Sequence, residues 1–579
     1  MEISVERNNK FLRKEFQRSL IPVMTAVLGG TINAIIDSAF VTRRLDAKAL
    51  SAVTYSMPVF LVLCMMGCLF GVGSSILSSK AIGKNDVEEA SKYFHSLLFI
   101  SIVTGLLFTV MGLALSHPIA RLLCSDLELI SRVEIYTRIT LIGAPFYILI
   151  YVPNYYLQLD GKGRSLTTMM VVMIITDILL DFVLLYIFDM GLAGASLASV
   201  LSVAAACVIG MYPLLFKDGM FGFHRKRFRL YGLKKIVSYG SVSANGTLVG
   251  VLRLILLNRI IFRAAGNDGM AVWSVLNALS ELSLCILAGI PRTALPLLGI
   301  ASSGHDNEGL RLIAGHELKM GMRLCTVYAI VLAALNVPLR LFYKIDGSML
   351  LPIVCLGISV IPALCASVLA SFYNVTGRPI VANILMTLRT FALPVLSAWI
   401  IMLTGAPIFL FLPLGMTLAA LFAIIISYMI SAASKGSDHE LSPVLLLDDY
   451  LEKNGMIKGF SIRSTDEEIC RASEVITEFC TGHEMEPGKA MKLGLSLEEL
   501  MTVMVRKSKP RDDDPVDIRV YSSDGVFGLS IMCFGDKYDP FESGDEKDEM
   551  NMGVNMIKKM SRDHKYLYTM GMNILSVEF

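Results

Sequence analysis

Charge is scarce in this 579-residue sequence. Only 18% of its residues are Asp, Glu, Lys or Arg, and the two signs nearly cancel, at +2. A chain with no basic excess lacks the electrostatic footprint of a nucleic-acid binder, so no nucleic-acid partner is expected. The eleven cysteines are scattered. Cys64 and Cys68 stand one helical turn apart, but no histidine or second pair joins them, so they read as apolar packing thiols and no metal site is expected. The opening "MEISVERNNKFLRKEFQRSL" is charged throughout and has no apolar stretch, which argues against a cleavable signal peptide.

Apolar residues fill the place of charge. They make up 54% of the chain, and the mean hydropathy is +0.61, values of a membrane protein. Apolar segments of spanning length recur between charged or Gly/Pro-containing breaks. Twelve are expected, at about 16–42, 50–79, 92–116, 133–158, 166–188, 191–216, 234–263, 270–300, 313–342, 348–374, 380–404 and 407–433. The basic residues before helix 1, from Lys80 to Lys92, at Lys162 and Arg164, and in "FKDGMFGFHRKRFRLYGLKK" all fall on one side. The positive-inside rule makes that side cytoplasmic, with both termini inside the cell membrane.

The two halves look repeated. "AIGKND" (81–86) parallels "SSGHDN" (302–307), and "QLDGKGR" (158–164) parallels "NVTGRP" (374–379). Pairing Gly83 with Gly304 and Gly161 with Gly377 gives offsets of 221 and 216. The expected fold is therefore an all-α polytopic membrane protein with two six-helix lobes related by a pseudo-two-fold axis along the membrane normal. The first lobe is 1–215, a basic loop is 216–233, the second lobe is 234–434 and a polar linker is 435–450. Residues 451–579 read as a soluble α+β sandwich: two amphipathic helices, two strands meeting at an Asp-Gly turn, a helix near 551–562 and a final hairpin.

Inside the apolar segments stand carboxylates. "ITDILLDFVLLYIF" places Asp177 and Asp181 one turn apart on one helix face. A carboxylate at bilayer depth costs roughly 2.5–3.5 kcal/mol on insertion scales, so it must be compensated. Asp37 and Asp181 each lie 16 residues into their helix, at a rise of ~24 Å. Ser199, in the small-residue run "GLAGASLASV", brings a hydroxyl to similar depth. This group suits a hard-oxygen Na⁺ site or a proton-sharing cluster. Pro22 offers a bend in helix 1. In the second lobe, Arg253, Glu281 and Arg389 form a further polar group, in which Glu281 pairs with an arginine or contacts a cationic substrate.

The stretches "IPVMTAVLGGTINAIIDSAFVTRRLDAKALSAVTYSMPVF", "GVGSSILSSKAIGKND", "TDILLDFVLLYIFDMGLAGASLAS" and "NVTGRPIVANILMTLRT" resemble the MATE family of multidrug and toxin extruders. The resemblance covers about 15–433. It implies H⁺- or Na⁺-coupled antiport of organic cations and other amphiphiles, with no cofactor beyond the coupling ion. The family's cation site falls on Asp37, Asp181 and Ser199, and its bending proline on Pro22. Asp177 stands where the family usually has Asn, and Ser199 where it has Thr.

The C-terminal segment resembles the GHKL-type ATPase domain of anti-sigma-factor serine kinases, in "SLEELMTVMVRKS", "IMCFGDKYDPF" and "NMGVNMIKKMSRDHKYLYTMGMNILSVEF". Glu499 keeps the place of the general base, and Gly535, Asp539 and Gly553 remain. Val503 replaces the Mg²⁺-binding Asn, Cys533 the adenine-reading Asp and Asn551 the first loop glycine. Valine offers Mg²⁺ no oxygen and a thiol pairs poorly with an adenine amine. The expected whole is a secondary exporter and not an enzyme, in contact with membrane lipid. Its cytoplasmic domain is degenerate as an ATPase and regulatory, with a protein partner of its own. A lipid-linked sugar flippase would call for basic lobe interiors, and a membrane-anchored serine kinase would call for intact nucleotide motifs.

Overall fold

Long apolar helices run back and forth through most of the chain in a computed structural model. It describes residues 10–579 except 46, 125–126, 217–219, 305, 339–348, 437–438, 449, 455, 484, 510–513, 524–525 and 543–548; the side chains of some helical positions also lie outside the described residues. The first lobe begins with α1 (Lys10–Arg44), α2 (Ala47–Gly83) and α3 (Val87–Leu123). Next come α4 (Leu127–Ile142), α5 (Ala144–Leu149) and α6 (Tyr151–Leu159), then α7 (Gly163–Phe182) and α8 (Gly191–Leu215). The chain bends by 53° between α4 and α5. Pro145, which has no N–H to continue the ladder, opens α5 there. A π-helical turn, Val183–Ile187, extends α7.

In the second lobe, α9 (Leu233–Ser303) runs as one element but breaks at Gly266, whose φ of +61° no helix contains. After it come α10 (Asn307–Ala334), α11 (Leu350–Val375) and α12 (Pro379–Thr387). A second π-helical turn, Leu388–Ala392, leads into α13 (Leu393–Thr404), and α14 is Phe411–Ala433. Among the described residues, eight helices are long and apolar enough to cross a membrane, or nine if the bent α4–α6 counts as one span. The other three positions of the twelve-span reading hold α1, the first half of α9 and α10. These are helical but do not meet that criterion among the described residues.

The repeat is visible in the turns. Asp86 N donates to Ala81 O at 2.9 Å, and Asp306 N to Ala301 O at 3.0 Å. Each aspartate then caps the next helix, accepting from Glu89 N at 2.8 Å and Gly309 N at 2.9 Å. Likewise Lys162 N bonds Leu157 O and Arg378 N bonds Tyr373 O, both at 2.8 Å. These six-to-one bonds are helix C-terminal motifs, and Gly161 (φ +71°) and Gly377 (φ +94°) supply the left-handed residue in the second pair. In the first loop Asn85 (φ +53°), and not Gly83, takes that conformation.

The lobes meet on the face where α1 begins. One buried core joins Phe16, Ile76 and Tyr156 of the first lobe to Ile290, Leu298 and Tyr373 of the second. Gly73 and Gly240 let backbones touch: a Cβ would lie 1.9 Å from Ile236 O at the first and 1.7 Å from Leu69 O at the second. Toward the opposite face each lobe keeps its own core. Leu257, Trp273 and Phe411 cluster in the second lobe, and Ala120, Val133 and Leu185 fall in clusters of the first. The described packing thus closes one end of the crevice between the lobes.

After a short turn (α15, Tyr450–Lys453), the C-terminal segment forms a five-stranded antiparallel sheet in the order β1-β2-β3-β5-β4. The strands are β1 (Ile457–Ile462), β2 (Val516–Ser523), β3 (Val526–Phe534), β4 (Asp563–Thr569) and β5 (Met572–Glu578). Three helices accompany it: α16 (Asp466–Gly482), α17 (Pro487–Ser508) and α18 (Glu549–Met560). Strand β1 is an addition to the sequence expectation. Alternation splits β5 between two cores: Leu575 and Val577 pack with α16 and α17, whereas Met572 and Ile574 join the core of the lobes.

Candidate functional site in the first lobe

Helices α1 and α7 lie side by side in a constant register. A Cβ on Gly163 would meet Pro22 Cγ at 3.1 Å, and one on Gly29 would meet Met170 Cβ at 3.5 Å. Arg44 Nε donates to Leu185 O at 3.3 Å. Each pair is 141 residues apart, so position 37 falls opposite Ile178, level with the acids of α7. The Asp37 side chain itself lies outside the described residues. Helix α1 runs without interruption through Pro22.

Asp177 and Asp181 are 0% and 1% exposed. They project from one face of α7, just before its π-helical turn. π-bulges recur at functional sites because they re-aim the side chains beside them. Ser202 Oγ donates to Asp177 Oδ1 at 2.8 Å. One oxygen of each carboxylate, Oδ2, is buried with no hydrogen-bond partner. Ser199 is buried beside them, and its Oγ donates to Ala195 O at 3.2 Å while its own carbonyl accepts from Ser202 at 2.9 Å. Sequence reasoning missed Ser202, although it lies one turn beyond Ser199 on the same face. Two buried acids holding unused oxygen lone pairs can take up a proton or ligate a hard cation.

The second-lobe group is less tightly built. Arg253 and Arg389 are partly buried, Glu281 is exposed, and no ion pair joins either arginine to a carboxylate among the described residues. The expected structural pairing of Glu281 is therefore not formed here.

In the C-terminal domain, Val503 and Cys533 are each 1% exposed and belong to the core between helices and sheet. Burial pushes the Cys533 thiol up to about 12. Glu499 is exposed on α17. Gly535 (φ +140°) turns the chain against α17, where Asp536 N donates to Ser508 O at 2.7 Å. Asp539 Oδ1 accepts from Phe541 N at 2.8 Å, and burial raises its carboxyl above the usual range. Asn551 and Gly553, expected in a glycine loop, lie within helix α18, and their side chains are outside the described residues.

This domain docks on the face where the lobes meet. Thr569 Oγ1 donates to Leu159 O at 2.5 Å, and the Met570–Gly571 turn sits against Gly161. Lys14 pairs with Asp514 and lies 5.3 Å over the Phe534 ring. On the second lobe, Arg519 donates to Gly304 O, and Arg311 pairs with Glu452 at 3.0 Å. The linker is held too: Arg378 donates to Leu446 O and Tyr373 to Val444 O.

The fold defines a class, the multi-pass helical membrane proteins of MATE architecture. A solved structure titled as the outward-facing conformation of a multidrug resistance MATE family transporter of the MOP superfamily superposes with a TM-score of 0.68 at 22% identity, over 73% of this chain and 96% of that one. A MATE structure described as the straight conformation gives 0.68 at 21% identity, over 74% and 99%. The family profile MatE matches residues 22–187. The chain is 25% identical over 281 residues to the multidrug export protein MepA of Staphylococcus haemolyticus, and 25% identical over 293 residues to MepA of Staphylococcus aureus MRSA252. The matches span 48% and 50% of this chain, and 62% and 64% of those relatives.

Proposed function

We propose that this protein is a secondary active exporter of organic cations and other amphiphilic compounds, driven by inward movement of H⁺ or Na⁺. The observation that carries the reading is the buried pair Asp177 and Asp181, each with an unpartnered oxygen inside a spanning helix. Two carboxylates one turn apart in a low-dielectric lobe cannot both be ionised cheaply, so the pair holds a proton or a cation. Asp37, level with them on α1, completes the site. Occupancy then changes the charge between α1 and α7, and α1 responds at Pro22. The basic loop ends support a cytoplasmic shared face of the lobes, and on that reading this conformation opens outward from the cell membrane.

The C-terminal domain is a regulatory module of GHKL type that has lost nucleotide chemistry. Apolar packing where Mg²⁺ and adenine recognition would need oxygen supports that reading. Because it contacts both lobes across the closed end, it resists their separation there, and a cytoplasmic protein partner that removes it permits the inward-facing state.

The test is transport by purified protein in liposomes under separate H⁺ and Na⁺ gradients, with a cationic dye as cargo. Dye movement driven by either gradient and lost in Asp181→Asn is expected; movement indifferent to both gradients would end the proposal.

A further inference from the structure

The coupling scheme leaves Arg253 and Arg389 unused. Arg389 lies inside a spanning segment and Arg253 in the helical first half of α9, and at bilayer depth a guanidinium persists only when something compensates its charge. Helix α9 approaches α12 closely just before them. Asn245 Nδ2 donates to Thr387 Oγ1 at 2.8 Å, and a Cβ on Gly246 would meet Met386 Cε at 2.7 Å. At Gly250 the two helices are still in van der Waals contact, such a Cβ lying 3.9 Å from Thr390 Cγ2. Arg253 follows one turn later on α9, and Arg389 is carried beside Thr390 on the π-helical turn Leu388–Ala392.

The two guanidiniums are near enough to repel one another, and Glu281 is near enough to attract Arg253. One carboxylate against two guanidiniums leaves a local sum of +1. The partners present are weak: Arg389 Nη2 reaches only Met386 Sδ at 3.3 Å and Thr390 Oγ1 at 3.5 Å. The Nε of each arginine is buried with no acceptor. Neighbouring guanidiniums short of acceptors and of negative charge match a planar oxyanion.

We infer that Arg253 and Arg389 form an anion-binding subsite in the second lobe, which takes the carboxylate, sulfonate or phosphate of an amphiphilic molecule. The inference rests on the export reading and deepens it: the transporter accepts amphiphiles bearing an acidic group as well as cations. The two lobes then divide the work, with negative charge for the coupling ion in the first and positive charge for a substrate group in the second.

The test uses the purified full chain in phosphatidylcholine nanodiscs and two probes, dansylglycine and its methyl ester, which differ in one negative charge. The acid should bind about tenfold more tightly than the ester. Arg253→Gln and Arg389→Gln should each bring the two affinities together, whereas Arg389→Lys should keep part of the preference and shows that the lobe remains folded. Adding phosphatidylglycerol separates two sources of the same chemistry. If the preference then disappears, the occupant is a lipid phosphate; if it persists, the occupant is a dissolved amphiphile. Equal binding of acid and ester by the unaltered protein overturns the subsite, as does a preference that survives both glutamine substitutions. The readout is equilibrium binding, so failure of gradient-driven dye transport would remove the export reading and leave this result standing.

Discussion

Asp177 accepts a hydrogen bond from Ser202 and lies one turn from Asp181, so the two acids share a fate. Asp181→Asn keeps the shape and removes the charge. It should abolish gradient-driven export while leaving membrane insertion intact, as checked by dye flux and by yield after size exclusion. Asp177→Asn removes one of the crowded charges and should move the pH of half-maximal export downward. Superimposable pH profiles would show that Asp177 acts independently of the site. Ser202→Ala deletes a hydrogen bond to a buried carboxylate, an effect of about 1–3 kcal/mol. It should shift the same pH profile without abolishing transport.

The β4–β5 hairpin carries the docking contact at the scale of an element. Its turn places Met570 (φ +55°) and Gly571 (φ +75°) in the left-handed region, the signature of a type I′ turn. A Cβ on Gly571 would also lie 2.7 Å from Arg18 Nη1. Gly571→Val should therefore cost about 1–2 kcal/mol in backbone strain alone. Faster amide exchange across β4 and β5, with α16 and α17 still protected, would report local undocking.

Across the whole molecule, the domain bridges both lobes, and one buried acid makes that bridge sensitive to pH. Glu15 precedes the first span and is 2% exposed, with Ser19 Oγ donating to its Oε1 at 3.2 Å and Oε2 unpartnered. Burial raises its carboxyl from 4.5 to about 7, against the opposing charges of Arg18 and Lys14; Tyr568 faces it from the hairpin. Docked protein thus binds a proton that undocked protein releases. Docking is strongest below about pH 4.5 and weakens as pH rises through about 7. Crosslinking of cysteines placed at Gly161 and Met570 should fall over that window, and Glu15→Gln should flatten the curve. Removal of 441–579 should raise dye turnover if the domain restrains the inward-facing state; unchanged turnover would sink the regulatory reading.

Periodicity and charge placement made the helices legible, because a bilayer segment must satisfy its own backbone and so writes itself as an apolar run. The turns at Gly161 and Gly377 exposed the repeat in the same way, since a left-handed residue after a helix narrows the choice of side chain. Asp177 and Asp181 were visible because an acid among apolar residues is conspicuous. Local chemistry was enough for all of these. Ser202 as the partner of Asp177, the close approach at Gly73 and Gly240, the weakly partnered guanidiniums and the seat of the C-terminal domain were decided by tertiary structure. Each depends on which surfaces meet across hundreds of residues, and contact between distant segments is set by packing shape, which leaves no periodic trace along the chain.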